Sequence, residues 1–427
     1  MHKQKTDKNA LLLIIVAALG YFVDIYDLIL FNVVKKESLI ALGLTGFEEI
    51  KNTSISLFNW QMGGMLLGGI LWGVLGDKKG RLKVLFGSIL MYSAANIMNA
   101  FVTDIPSYAL IRFIAGIGLA GELGAGITLV SEVMSKENRG YGTMIIVTFG
   151  ALGAVLAALV GGEGQMIANW IETSFGLVLQ NWQVAYIVGG LLGIMLLLLR
   201  IGTLESQMFS RLHLKDVSKG DFFALFKTKR VFKTYLNCIL IGLPVWYAIA
   251  ILIAYAEDFA SPEILNVNGK VVNGTAVMFA YLGLSAGDLL SGLLSQWWKS
   301  RKKVVFIYLI ASSLLVMLYL FTSGGKSATY FYTLCFLIGV GTGYWALFVS
   351  IASEQFGTNI RSTVTTTVPN FVRGAVIPIT ALFKTLEIFG TITSAFLTGA
   401  VCIALAIMAL RGLKETFGKD LDYIETL

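Results

Sequence analysis

Twelve predominantly apolar stretches run through the chain, at about 10–34, 53–76, 82–102, 106–134, 140–163, 182–202, 231–255, 274–298, 304–323, 330–352, 363–386 and 391–411. Each is close to the roughly 20 apolar residues that a helix needs to cross a bilayer. A soluble fold has no way to bury twelve such segments. The balance of 56% hydrophobic and 14% charged residues, with a mean hydropathy of +0.75, is that of a polytopic membrane protein. The 46 glycines suit close-packed membrane helices, in which small residues let backbones approach. The polar, basic residues 1–9 precede an apolar run too long for a signal peptide, so the first helix is expected to be retained.

The one long polar stretch, 203–230, divides the spans six and six. The expected organisation is an N-terminal bundle over 1–202, a linker over 203–230, and a C-terminal bundle over 231–427. Of 33 Lys and Arg, five (Lys35, Lys36, Lys51, Lys270, Lys326) fall in loops on one side and three (Arg112, Arg373, Lys384) within spans. The remaining 25 lie on the tails, on loops of the other side and at the span ends that meet them. That bias predicts both termini in the cytoplasm of an inner or plasma membrane. It also accounts for the net charge of +7 without nucleic acid.

Within the first span, Gly20-Tyr21-Phe22-Val23-Asp24-Ile25-Tyr26-Asp27-Leu28 puts two carboxylates at membrane depth. Such a residue costs at least ~2.5 kcal/mol on insertion scales, and it marks an ion or proton path. The histidines, His2 and His213, lie outside the spans, so a proton carrier at depth must be a carboxylate. Cys238, Cys335 and Cys402 fall in apolar segments and read as packing residues, not as metal ligands.

The two halves repeat at an offset of 222 residues. Gly20 meets Gly242, Ser131-Glu132 meets Ser353-Glu354, and Arg139 meets Arg361. Internal repeats of this kind mark secondary transporters, whose bundles rock about a central site near the midplane. The repeat equivalents of Asp24 and Glu122 are Trp246 and Tyr344, each followed by another aromatic, Tyr247 and Trp345. These four aromatics are expected to line the cavity. In the eleventh span, Arg373 with Asn370 lies about 16 Å from the cytoplasmic end at ~1.5 Å per residue. A permanently charged guanidinium there needs an anion. It is either a substrate carboxylate or phosphate, or an internal partner such as Asp288.

The loop Gly73-Val-Leu-Gly76-Asp77-Lys-Lys-Gly80-Arg81-Leu-Lys83 resembles the signature loop of the major facilitator superfamily, decayed in the second half, where Gln296 replaces the aspartate. Glu132 with Arg139 and Glu354 with Arg361 resemble the charges ending the family's fourth and tenth helices. Glu205 and Glu415 resemble the acidic motifs after the sixth and twelfth helices of sugar porters. The resemblance implies an all-α membrane protein, twelve transmembrane helices in two pseudo-symmetric six-helix bundles. It also implies that Asp77, Arg81 and these charges latch the cytoplasmic side.

Asp27 with Arg112 in the fourth span resembles the proton-coupling pair of sugar porters, and a salt bridge between them is expected. The paired aspartates resemble phosphate:proton symporters, with Glu122 where those carry a further aspartate. The resulting expectation is a monomeric, cofactor-free symporter that imports a small anionic or polar metabolite with protons. Asp27, Asp24, Arg112 and Glu122 would handle the proton, while Arg373, Asn370, Trp246, Tyr247, Tyr344 and Trp345 would handle the solute. The alternatives are a proton-driven exporter, disfavoured because Gly150-Ala-Leu-Gly153 in the fifth span lacks the proline of antiporter motifs, or a sensor without turnover. No nucleophile-base pair and no full phosphate-cradling Gly-x-x-x-x-Gly-Lys-Ser/Thr loop argues for an enzyme.

Overall fold

In the computed structural model, residues 2–134, 139–204, 221–357 and 359–419 are described, and these contain helices and no strands. The first bundle holds α1 (His2–Ala41), α2 (Phe47–Lys79), α3 (Arg81–Asn99), α4 (Ile105–Leu119 and Glu122–Val133), α5 (Arg139–Phe175) and α6 (Asn181–Leu204). The second holds α7 (Lys229–Leu240, Leu243–Tyr247 and a π turn Ala248–Ile253), α8 (Asn273–Trp297) and α9 (Arg301–Thr322). It is completed by α10 (Ala328–Thr342 and Trp345–Gln355), α11 (Arg361–Gly374 and Val376–Leu386) and α12 (Thr391–Gly412). Most of the expected linker, from 205 to 220, lies outside the described residues.

Nine of these helices are long and apolar enough to cross a membrane by length and composition alone. The first segment of α11 is not, because it carries Thr363, Thr365, Thr366, Thr367, Asn370 and Arg373 in 14 residues. Yet all of its residues except Phe371 are buried. In a membrane protein the outer surface is itself apolar, as exposed Leu90, Leu110, Leu191, Met195, Leu198 and Leu314 illustrate. A polar helix is therefore the one that belongs at the centre.

Four helices are broken, and two breaks follow from proline. Pro244 has no N–H to donate to the Leu240 carbonyl, and Pro378 has none for Gly374, so α7 and α11 part there. The other two, in α4 at Ala120–Gly121 and in α10 at Gly343–Tyr344, fall at repeat-equivalent glycines.

The bundles meet along two seams, α2 against α11 and α5 against α8. Glycine makes the core approaches possible: a Cβ on Gly153 of α5 would run into the Phe22 carbonyl of α1.

Candidate functional site

At mid-depth, among the described residues, one ion pair joins the two bundles. Asp24 of α1 lies 3.7 Å from the Arg373 guanidinium of α11, and both side chains are excluded from solvent. Arg373 also approaches the Tyr21 hydroxyl at 3.5 Å and donates to the Asn370 side-chain oxygen at 3.3 Å. Asn370 is itself pinned, donating to the carbonyls of Ala120 in the opposite bundle (2.8 Å) and Thr366 (2.7 Å). Two indoles complete the wall, with the guanidinium carbon 5.8 Å from the Trp246 ring centroid and 5.9 Å from that of Trp345. The cluster thus presents a cation, a planar aromatic pair and a carboxylate whose oxygens accept no hydrogen bond among the described residues.

The neighbours expected from sequence take other partners. Arg112 does not reach Asp27. It donates to Tyr186 (2.9 Å), to the Leu57 carbonyl (3.4 Å) and to Gln61, and it lies 3.7 Å over the Phe31 ring, all within the first bundle. Asp27 turns instead toward α6, against Gly189, where neither oxygen accepts a hydrogen bond among the described residues. Glu122 is clamped by Arg200 of α6 through two parallel hydrogen bonds, one of 2.9 Å. Arg200, two residues from the end of the sixth span, is fully buried, and in the sequence only its place just inside that span sets it apart. Gly20 makes room for this pair, since a Cβ there would strike both charged groups.

Asp288 does not pair with Arg373. It accepts the Ala346 N–H at 2.9 Å and so caps the second segment of α10. Tyr247 and Tyr344 point away from the cluster, donating to the carbonyls of Ala395 (2.6 Å) and Ile241 (2.9 Å) respectively.

On the side of the molecule where the linker joins the bundles, charges bridge the seam. Arg139 of α5 donates to Glu354 of α10 at 2.9 Å, a charge pair between the two bundles. Arg301, which sequence reasoning missed, joins the same carboxylate at 3.2 Å. Arg361 is buried and reaches the Phe356 carbonyl at 3.5 Å. Asp77, at the end of α2, accepts both the N–H (2.8 Å) and the hydroxyl (2.6 Å) of Thr363. It therefore caps α11 from the opposite bundle, a contact of about 1 kcal/mol. Glu415 accepts from the Ser300 hydroxyl (2.5 Å) and the backbone N–H groups of Arg301 and Lys302, capping α9 within its own bundle. Partial burial raises its pKa, but these hydrogen bonds outweigh that and hold it below the ordinary glutamate range. The side chains of Arg81 and Glu132, and all of Glu205, lie outside the described residues.

At the far side, Lys35 donates to the Ala254 carbonyl (2.7 Å), Lys36 to Glu257 (2.7 Å) and Lys51 to Glu387 (3.4 Å). The Asp24–Arg373 cluster is thus enclosed between two layers of interbundle contacts.

A buried ionic site between two six-helix bundles, with polar contacts between the bundles at both ends, is the layout of a secondary transporter. The sequence profile of the Major Facilitator Superfamily matches residues 17–381. The chain belongs to this superfamily. Within it, the chain is 28% identical over 368 residues to the putative niacin/nicotinamide transporter NiaP of Bacillus subtilis (strain 168), covering 84% of this chain and 86% of that one. It is 28% identical over 248 residues to the 3-(3-hydroxy-phenyl)propionate transporter of Escherichia coli (strain K12), covering 57% and 56%. The fold superposes on the superfamily proton:xylose symporter XylE with a TM-score of 0.69 and 14% identity, covering 97% of this chain and 98% of that one. The chain is a multi-pass membrane transporter of small molecules, not an enzyme.

Proposed function

We propose that the protein imports a small carboxylate-bearing metabolite together with a proton, by alternating access between its two bundles. The observation that carries this reading is the Asp24–Arg373 pair. Two unit charges 3.7 Å apart attract by roughly 4 kcal/mol at an effective dielectric of about 20. A substrate carboxylate that takes the Arg373 fork recovers that attraction but leaves Asp24 charged and unpaired in a dry site. A proton on Asp24 removes the penalty, so anion and proton bind together. The proton belongs to the Asp24 and Asp27 pair, with Asp24 the member that exchanges partners. Trp246 and Trp345 supply the flat apolar faces that suit a ring-bearing acid. The relatives named for niacin and for a phenylpropionate support that substrate class.

Uptake of labelled nicotinate and benzoate into proteoliposomes under an inward proton gradient tests the reading. Asp24→Asn should equilibrate substrate across the membrane without concentrating it. Arg373→Lys, which keeps the charge but loses the two-pronged geometry, should raise KM about tenfold. Concentrative uptake by Asp24→Asn equal to that of wild type would refute the coupling role.

A further inference from the structure

Lys384 stands apart from the transport machinery. It lies in the second segment of α11, and its ammonium donates to the Asn52 side-chain oxygen at 2.9 Å. The nearby carboxylate, Glu387, is engaged by Lys51. Lys384 forms one end of a groove of about 450 Å³ whose other walls are Asn52, Ile55, Ser56, Asn59, Trp60, Gly63 and Phe113. α2 and α4 of one bundle face α11 of the other across it. The groove opens sideways onto the lipid-facing surface, where Trp60 is 49% exposed.

The lining is graded along the helix axis. The end nearer the far side carries Lys384, Asn52 and Ser56, Asn59 lies midway and donates to the Thr380 hydroxyl at 3.5 Å, and the deep end carries Trp60, Gly63 and Phe113, with the two rings in an edge-to-face contact at 5.8 Å. From Asn52 to Gly63 is about 16 Å at ~1.5 Å per residue, half of the roughly 30 Å hydrocarbon core. A cationic head position above an apolar slot one leaflet deep has the polarity and length of a phospholipid. The floor is kept open by a residue that helix packing does not require. A Cβ on Gly64 would strike the Phe113 carbonyl, whereas a Cβ on Gly63 would meet only the edge of the Phe113 ring, at 3.8 Å.

We infer that this groove holds one anionic phospholipid, with its phosphate at Lys384 and an acyl chain between Trp60 and Phe113. A lipid seated there touches both bundles and resists their separation on that side.

Native mass spectrometry of the purified full chain, titrated with palmitoyl-oleoyl phosphatidylglycerol or the matching phosphatidylcholine, reads occupancy directly. Wild type should retain one phosphatidylglycerol in preference to phosphatidylcholine. Lys384→Gln should cut phosphatidylglycerol retention about five-fold, and Lys384→Arg should preserve it. Gly63→Leu, which fills the slot, should lower retention of both lipids. Lys384 and Gly63 sit at the groove surface, so if one variant fails to elute as wild type the other decides. Retention unchanged in a folded Lys384→Gln or Gly63→Leu overturns the inference. It is also overturned if Lys384→Gln changes the KM for nicotinate while lipid retention stays the same, because the groove would then be a substrate vestibule.

Discussion

The two bundles break the same helix at the same place and repair the break in different ways. α4 parts at Gly121 and α10 at Gly343, 222 residues on. In the first bundle the new segment opens on Glu122, whose carboxylate is held by Arg200 against the backbone of Gly20. In the second, Tyr344 stands at the position of Glu122 and gives its hydroxyl hydrogen to the Ile241 carbonyl, while Asp288 takes the Ala346 N–H that the helix start leaves free. The first bundle thus builds its break from two mutually neutralising charges and the second from hydrogen bonds to backbone. The consequence is felt at the centre. With Glu122 and Arg200 satisfied by each other, and Asp288 committed to a helix end, Arg373 finds its counter-charge in the opposite bundle, at Asp24.

The largest effect expected from this contrast is on the first bundle. Arg200→Leu leaves Glu122 buried without its counter-charge, which costs about 3–5 kcal/mol. Heating in detergent followed by size exclusion should show a loss of monodisperse protein at much lower temperature than for wild type. The double change Glu122→Gln with Arg200→Met removes both charges and should recover most of the loss. If Arg200→Leu is as stable as wild type, the ion pair is not what holds the break, and the contrast between the bundles fails.

The fold was legible because apolar length is a local property. Spans, their division by a polar stretch and the repeat can all be read without knowing which side chains touch. The site was legible to the extent that a charge at membrane depth demands a partner, which singled out Asp24, Asp27 and Arg373, while Glu122 came from the resemblance to phosphate:proton symporters. Which partner each takes was not, because counting residues gives depth and not direction around the helix axis. Counting residues puts Asp27 and Arg112 at a similar level, yet the first turns to Gly189 and the second to Gln61 and Tyr186. The same geometry sorts the aromatic pairs. Neighbouring residues on a helix point about 100° apart, so of Trp246 and Tyr247 only the tryptophan faces Arg373, and α10 turns its pair likewise. Arg301 escaped notice because it looks like an ordinary basic residue at a helix start.

The second bundle is sharpened by Asp288. Replacing it with Leu removes the acceptor of the Ala346 N–H and should cost about 1–3 kcal/mol, less than breaking the Glu122–Arg200 pair. Asp288→Asn keeps an oxygen in the same place and should recover about half of that. The same thermal assay reads both. An Asn variant as damaged as the Leu variant would mean that the charge of Asp288, and not its acceptor oxygen, is what the site needs.

The smallest effect separates framework from pocket. Tyr344→Phe deletes one hydrogen bond, from its hydroxyl to the Ile241 carbonyl at 2.9 Å. Hydrogen bonds between helices in membranes average about 0.6 kcal/mol, so the variant should be only slightly less stable than wild type. Tyr247→Phe, whose hydroxyl meets the Ala395 carbonyl in α12, should behave alike. Neither hydroxyl faces Arg373, so KM for a transported acid should stay within about two-fold of wild type. Trp246→Ala and Trp345→Ala remove the faces that flank the guanidinium and should raise KM at least several-fold by the same measurement. A KM that rises as much in Tyr344→Phe as in Trp345→Ala would show α10 turning during transport so that the tyrosine enters the pocket. The neutral repair of the second bundle would then be part of the moving site and not of its frame.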